Sequence, residues 1–282
     1  MLYLLLAILC SAAMALLLKR FEEPKGSRCG LIFGNYLACT LIALLMTPGG
    51  APLLSGSRST PLFGLAGGLL FVAGFRSTQA SIRRNGVALS TAFSKLGLLV
   101  TLGVSFFLFG ERPDPAQLFG IALVVAAILL IHGGRSDPAR GPGSFALLLL
   151  TLLAVGSADS MVKVFEGFGA AGEGERFFLC LFATACLLTG VLALVEFRRT
   201  GKRPALRDMA AGALVAVPNY FCSFLLLHAL MRLPAFLVYS AFSTGTILAV
   251  MLLGALLFGE RTDRRRRWGL LVILAALVLL NL

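Results

Sequence analysis

The sequence predicts an all-α integral membrane protein of ten transmembrane helices, built as two inverted five-helix repeats. Three observations lead there: the composition, the length of the apolar runs, and a stretch of text written twice. Of 282 residues, 58% are hydrophobic and 13% charged, and the mean hydropathy is +0.92. A soluble domain of this length needs more polar surface to face water. The apolar runs are roughly 17 to 25 residues long, enough for a helix to cross about 30 Å of hydrocarbon.

In order, the runs fall at 1–18, 29–47, 61–80, 86–109, 115–131, 144–164, 176–195, 208–230, 235–258 and 267–282. The first, "MLYLLLAILCSAAMALLLKR", lacks the basic start of a signal peptide and stays apolar to Leu18, so it reads as an uncleaved first helix. The connectors "EEPKGSR", "TPGGAPLLSGSRST", "GERPDP", "HGGRSDPARGPG", "FEGFGAAGEGE" and "FRRTGKRP" carry the Pro, Gly and Ser that stop helices. Helices are expected because lipid offers backbone polar groups no partners. Barrel-type segments of about ten alternating residues are not seen. The six cysteines sit in or beside apolar runs without metal-type spacing and read as small buried hydrophobes.

Aligned without gaps, 92–131 and 241–280 share 14 identities in 40 positions. "AFS" and "LFGER-x-D" recur in one register, which chance matching of leucines does not produce. The chain therefore divides into halves, 1–132 and 144–282, joined near 131–143. With five spans per half, the second half enters the membrane upside down. Inverted repeats of this kind are built around a midplane site that rocking exposes to each side in turn.

These residues resemble a known family, the EamA-type transporters of the drug/metabolite transporter superfamily. The likeness rests on "FFLFGERPDPAQLFGIALVVAAILLI", "ALLFGERTDRRRRWGLLVILAALVLL" and "HALMRLPAFLVYSAF". It implies ten helices in two halves, a small-molecule substrate and both termini in the cytoplasm. Two departures concern the substrate subgroup: "CSAAMALLLK" replaces the usual Trp-Gly of the first helix, and the fourth and ninth helices lack a central proline.

The net charge of +12 does not point to nucleic acid, because the basic residues cluster in short connectors as topology signals. The odd-numbered connectors hold 18 Lys/Arg and the even-numbered ones 5, with Arg76 and Lys95 inside spans completing the 25. The positive-inside rule thus predicts both termini outside the cytoplasm, opposite to what the resemblance implies. The expected location is a bacterial cytoplasmic (inner) membrane, with membrane lipid around a monomer or homodimer.

An ionisable side chain at membrane depth costs roughly 3 kcal/mol and needs a reason. Lys95 lies nine residues into its span, roughly 13 Å from the nearer end, at the limit of snorkelling. It is either a cavity cation for a carboxylate or phosphate, or half of a structural ion pair with Asp159. Asp159 and Lys163 share a helix face four residues apart, so Asp159 is either a proton-coupling carboxylate or the partner of Lys163. Arg76, near the expected end of its span, snorkels or reaches a cavity. His228 is a hydrogen-bonded structural residue or a proton carrier.

"VPNYF" is expected to break the eighth span at Pro218, leaving Asn219 and Tyr220 to offer hydrogen bonds. Tyr239, Ser94, Ser243 and Thr244 are possible cavity donors or small packing residues; Asn35 and Tyr36 are weaker candidates. Glu111 and Glu260 recur at span ends and read as gating or structural residues. No connector holds a metal cluster, a catalytic constellation or a phosphate-cradling loop, so no cofactor is expected and any energy source is electrochemical. The leading function is a secondary transporter of a small polar metabolite, amino-acid-like or anionic, coupled to protons or a counter-substrate. A lipid-processing membrane enzyme and a structural or sensor protein are the competing classes.

Overall fold

The computed structural model describes residues 1–21, 29–47, 57–110, 145–201, 204–233 and 235–258, with isolated positions between 115 and 123 and between 268 and 275. Every regular element among them is helical: α1 (Leu2–Arg20), α2 (Gly30–Met46), α3 (Ser59–Asn85), α4 (Val87–Lys95), α5 (Leu98–Phe109), α6 (Phe145–Phe168), α7 (Gly174–Thr200), α8 (Leu206–Leu230) and α9 (Ala235–Phe258). Among the described residues, six helical stretches are long and apolar enough to cross a membrane, α4 and α5 together forming one of them; α2 and most of α9 are shorter apolar helices. Leucines such as Leu45, Leu187 and Leu256 face outward, as lipid contact requires. The expected fifth and tenth spans are described only at those isolated positions, and the junction near 131–143, Glu111 and Glu260 lie outside the described residues.

Three sequence expectations need correction. The third helix runs to Asn85, not to residue 80. Its polar stretch Ser77–Gln79 and Ser81 is buried against neighbours, with Ser81 and Ser90 hydroxyls 2.8 Å apart, so the polarity marks an interior face rather than a connector. Arg83 and Arg84 then close the last turn, where cations suit the helix dipole. The eighth span is not broken: α8 continues through Pro218. The break falls instead in the fourth span, at Leu96–Gly97 between α4 and α5. There the Gly97 N–H bonds back to Ser94 and the Leu99 N–H to Leu96, tight i→i−3 turns in place of the α pattern.

Gly97 explains the break. It abuts Gly156 of α6 so closely that a Cβ on Gly97 would stand 2.7 Å from the Gly156 nitrogen. Two helices meet backbone to backbone, an approach open only to glycine. Gly34 and Gly212 play the same part between α2 and α8, where an added Cβ would run into the backbone of Met209 or Leu31.

The packing crosses the sequence midpoint. α3 lies on α6 and α7, while α8 lies on α1 and α2. α4 and α5 pack on α6, and α9 packs on α1; α2 meets α7, and α4 meets α9. Exchanging α1, α2, α3 and α4–α5 for α6, α7, α8 and α9 returns these contacts, though not the weaker ones that α1 makes with α3 and α4. Two apolar clusters result. One stacks Phe165, Phe177, Phe178 and Phe182 around Tyr36 and Tyr220; the other joins Phe93, Leu96, Phe242 and Tyr239 where the duplicated helices touch.

Candidate functional site

Between the two clusters is a cavity of about 120 Å³, walled by α1, α2, α3, α4, α6, α8 and α9. At one probe sphere per water, it has room for on the order of ten waters or a small metabolite. Lys95 and Asp159 both line it, with Ser94, Asn219, Tyr36 and Phe242. Phe75 and Leu226 are among its apolar wall residues.

Lys95 ends α4 immediately before the break, so the loosened turn delivers its side chain inward. Its ammonium rests 3.8 Å from the centroid of the Phe242 ring, a cation–π contact. Phe242 belongs to the second "AFS" and is the repeat counterpart of Phe93. One copy of the duplicated text therefore supplies the cation and the other its platform. Lys95 and Asp159 interact through their charges but do not close to the 4.0 Å of an ion pair. That leaves the ammonium and the carboxylate each with hydrogen-bonding capacity toward the cavity.

Asn219 is held by α2: its amide nitrogen lies 3.4 Å from the Asn35 side-chain oxygen and 3.8 Å from the Cys39 sulfur. Tyr36 donates its hydroxyl to the Phe71 carbonyl at 2.7 Å, which fixes the ring at the wall.

The remaining candidates sit elsewhere. Arg76 is exposed, and its guanidinium reaches the Cys29 sulfur at 3.7 Å, beside the start of α2; it does not line the cavity. Tyr220 is buried among Phe182, Phe221 and Phe224 with no partner for its hydroxyl. The Tyr239 hydroxyl is likewise buried and unpartnered. Thr244 is half-buried, Ser243 is buried, and neither lines the cavity. His228 has Nδ1 2.9 Å from the Phe224 carbonyl, its ring is tilted against the Phe224 ring, and it lines a second cavity.

Sequence reading missed Ser11, Thr78, Thr91, Cys222 and Ser223, which also line the cavity. Small hydroxyls and thiols cost little in apolar helices, so hydropathy gives no sign of which face they occupy.

One end of the molecule is latched by Glu173, just before α7. Its carboxylate accepts from the Thr60 hydroxyl and the Ser57 N–H across the bundle, and from Arg176 at 3.0 Å. These bonds, the Thr60 one foremost, hold its pKa below the usual glutamate value. They also place the second and sixth connectors on one face. At the other, the Cys29 N–H donates to Glu196 at 3.0 Å, bringing together the first and seventh connectors.

Apolar helices that turn leucine outward and enclose a cavity with two opposite charges define a multi-pass membrane protein with a polar interior. The comparisons place it among transporters. Residues 1–133 match the EamA-like transporter family. A multidrug transporter of Pseudomonas aeruginosa is 33% identical over 99 residues, 34% of this chain and 88% of that one. A Haemophilus influenzae protein, described as uncharacterized, is 25% identical over 97% of this chain and 95% of its own. A crystal structure with 17% identity superposes with a TM-score of 0.66, covering 99% of this chain and 95% of that one, a likeness of fold. The chain belongs to the drug/metabolite transporter superfamily.

Proposed function

We propose that this protein is a secondary active transporter that moves a small polar metabolite, amino-acid-like or anionic, across the cytoplasmic membrane. The two halves, 1–132 and 144–282, act as inverted repeats, and alternating access opens the shared cavity to each side. The carrying observation is the unpaired Lys95 and Asp159 in one cavity walled by both halves. Lys95, backed by Phe242, meets a carboxylate or phosphate. Asp159 meets an ammonium, or takes up a proton as the substrate leaves. Asn219, Ser94 and Tyr36 orient the polar middle. Reciprocal packing across the midpoint supports the inverted arrangement. Gradient coupling, to protons or a counter-substrate, fits a chain without a nucleotide-binding motif.

Orientation follows charge. Lys19, Arg20, Arg198 and Arg199 end α1 and α7 on the face of the first and seventh connectors. Glu173 lies on the other. The positive-inside rule puts the basic face in the cytoplasm and both termini outside.

A thermal-shift screen of purified protein against amino acids, organic acids, sugar phosphates and amines tests the reading when repeated on Lys95→Ala. An anionic or zwitterionic ligand that stabilises wild type and not the variant supports it. A ligand that stabilises both equally removes Lys95 from the site.

A further inference from the structure

A second cavity, of about 300 Å³, opens where α6 ends, α7 begins and α8 ends. Its walls are chemically unlike those of the first. Glu166 and Glu175 supply two carboxylates, His228 an imidazole, and Phe165, Phe178 and Phe224 aromatic surface. Among its described lining residues there is no lysine or arginine. Of the nearby cations, Arg176 pairs with Glu173 and Arg232 lies over the Tyr3 ring at 4.7 Å, while Lys163, three residues before Glu166 on α6, is buried with a partner of its own. Because a carbonyl only accepts, the hydrogen bond between His228 Nδ1 and Phe224 has Nδ1 donating. In the neutral ring, Nε2 is then left as an acceptor.

Carboxylates, a ring nitrogen and aromatic faces together recognise an ammonium group. A proton alone needs neither this volume nor these rings.

The two cavities are neighbours. Asp159 of the first and Glu166 of the second are seven residues apart on α6, about 10 Å along the helix. Leu226 lines one and Leu227 the other.

We propose that this second cavity is a loading site for the ammonium-bearing end of the transported molecule, occupied before it moves into the Lys95–Asp159 cavity. The proposal rests on the transport reading above, but its chemistry is separable by probe. Calorimetric titration of the full-length protein in detergent uses 2-phenylethylamine, with an ammonium and no carboxylate, and phenylacetate, with the reverse. Glu166→Gln and Glu175→Gln, made separately so that one folded variant suffices, should each weaken amine binding about tenfold. Arg76→Gln, at a residue that lines neither cavity, should leave it within about threefold. Amine binding that is absent in wild type, indifferent to both glutamine variants, or lost in Asp159→Asn alone would overturn the loading site. Phenylacetate binding unchanged in Lys95→Ala counts against the transport site instead.

Discussion

Lys95 and Asp159 were legible because charge is expensive in a membrane. A cation some 13 Å from the nearer span end has to find water, a partner or a ligand. The cavity supplies the setting that this cost demanded. Charge-assisted hydrogen bonds contribute about 1.5–3 kcal/mol, so Lys95→Ala should weaken ligand affinity roughly 10- to 100-fold by titration while the protein stays folded. Tyr36→Phe deletes one neutral bond to Phe71 and should cost about 1 kcal/mol, read as a lower melting temperature. Arg76, Thr244 and Tyr220 lie away from the cavity for a common reason. A residue's depth can be counted along the sequence, but its direction around the helix depends on neighbours from the other half. Arg76 turns to Cys29, and Tyr220 into a nest of rings.

At the scale of elements, apolar run length located the helices well, and their interruptions poorly. Proline at 218 was the visible breaker, yet α8 absorbs it. Gly97 was an inconspicuous glycine, and there the helix stops, since the cause is Gly156 on another helix. Gly156→Ala places a Cβ against Gly97 and Val100 and should destabilise by about 1–3 kcal/mol. A loss of thermal stability together with altered ligand affinity checks it, because Lys95 hangs from the same turn.

The latch at Glu173 predicts a pH response. A carboxyl with a depressed folded pKa contributes stability that is full above its unfolded value, about 4.5, and is lost as pH falls through the folded value. Melting temperature should therefore fall on acidification below that range. Glu173→Gln should flatten this limb; an unchanged acid limb would show that the latch adds nothing.

For the whole molecule, the duplicated text was the most informative signal. It suggested the two halves proposed above, and the described helices of residues 1–110 pack against those of residues 145–258. The two copies meet each other, α4 against α9, and this proximity suggests why only one carries lysine. A second cation at the matching position would bring like charges together where α4 and α9 meet. Orientation can be read with a carboxy-terminal alkaline phosphatase fusion, active only outside the cytoplasm. The charge distribution predicts activity, whereas a fluorescent cytoplasmic green-protein fusion with inactive phosphatase would reverse the topology.

The most direct measurement is counterflow in proteoliposomes preloaded with the ligand that stabilises the purified protein. Wild type should accumulate labelled ligand against its gradient, and Lys95→Ala, reconstituted to the same density, should not. Equal counterflow by the two proteins would contradict a substrate site built around that lysine.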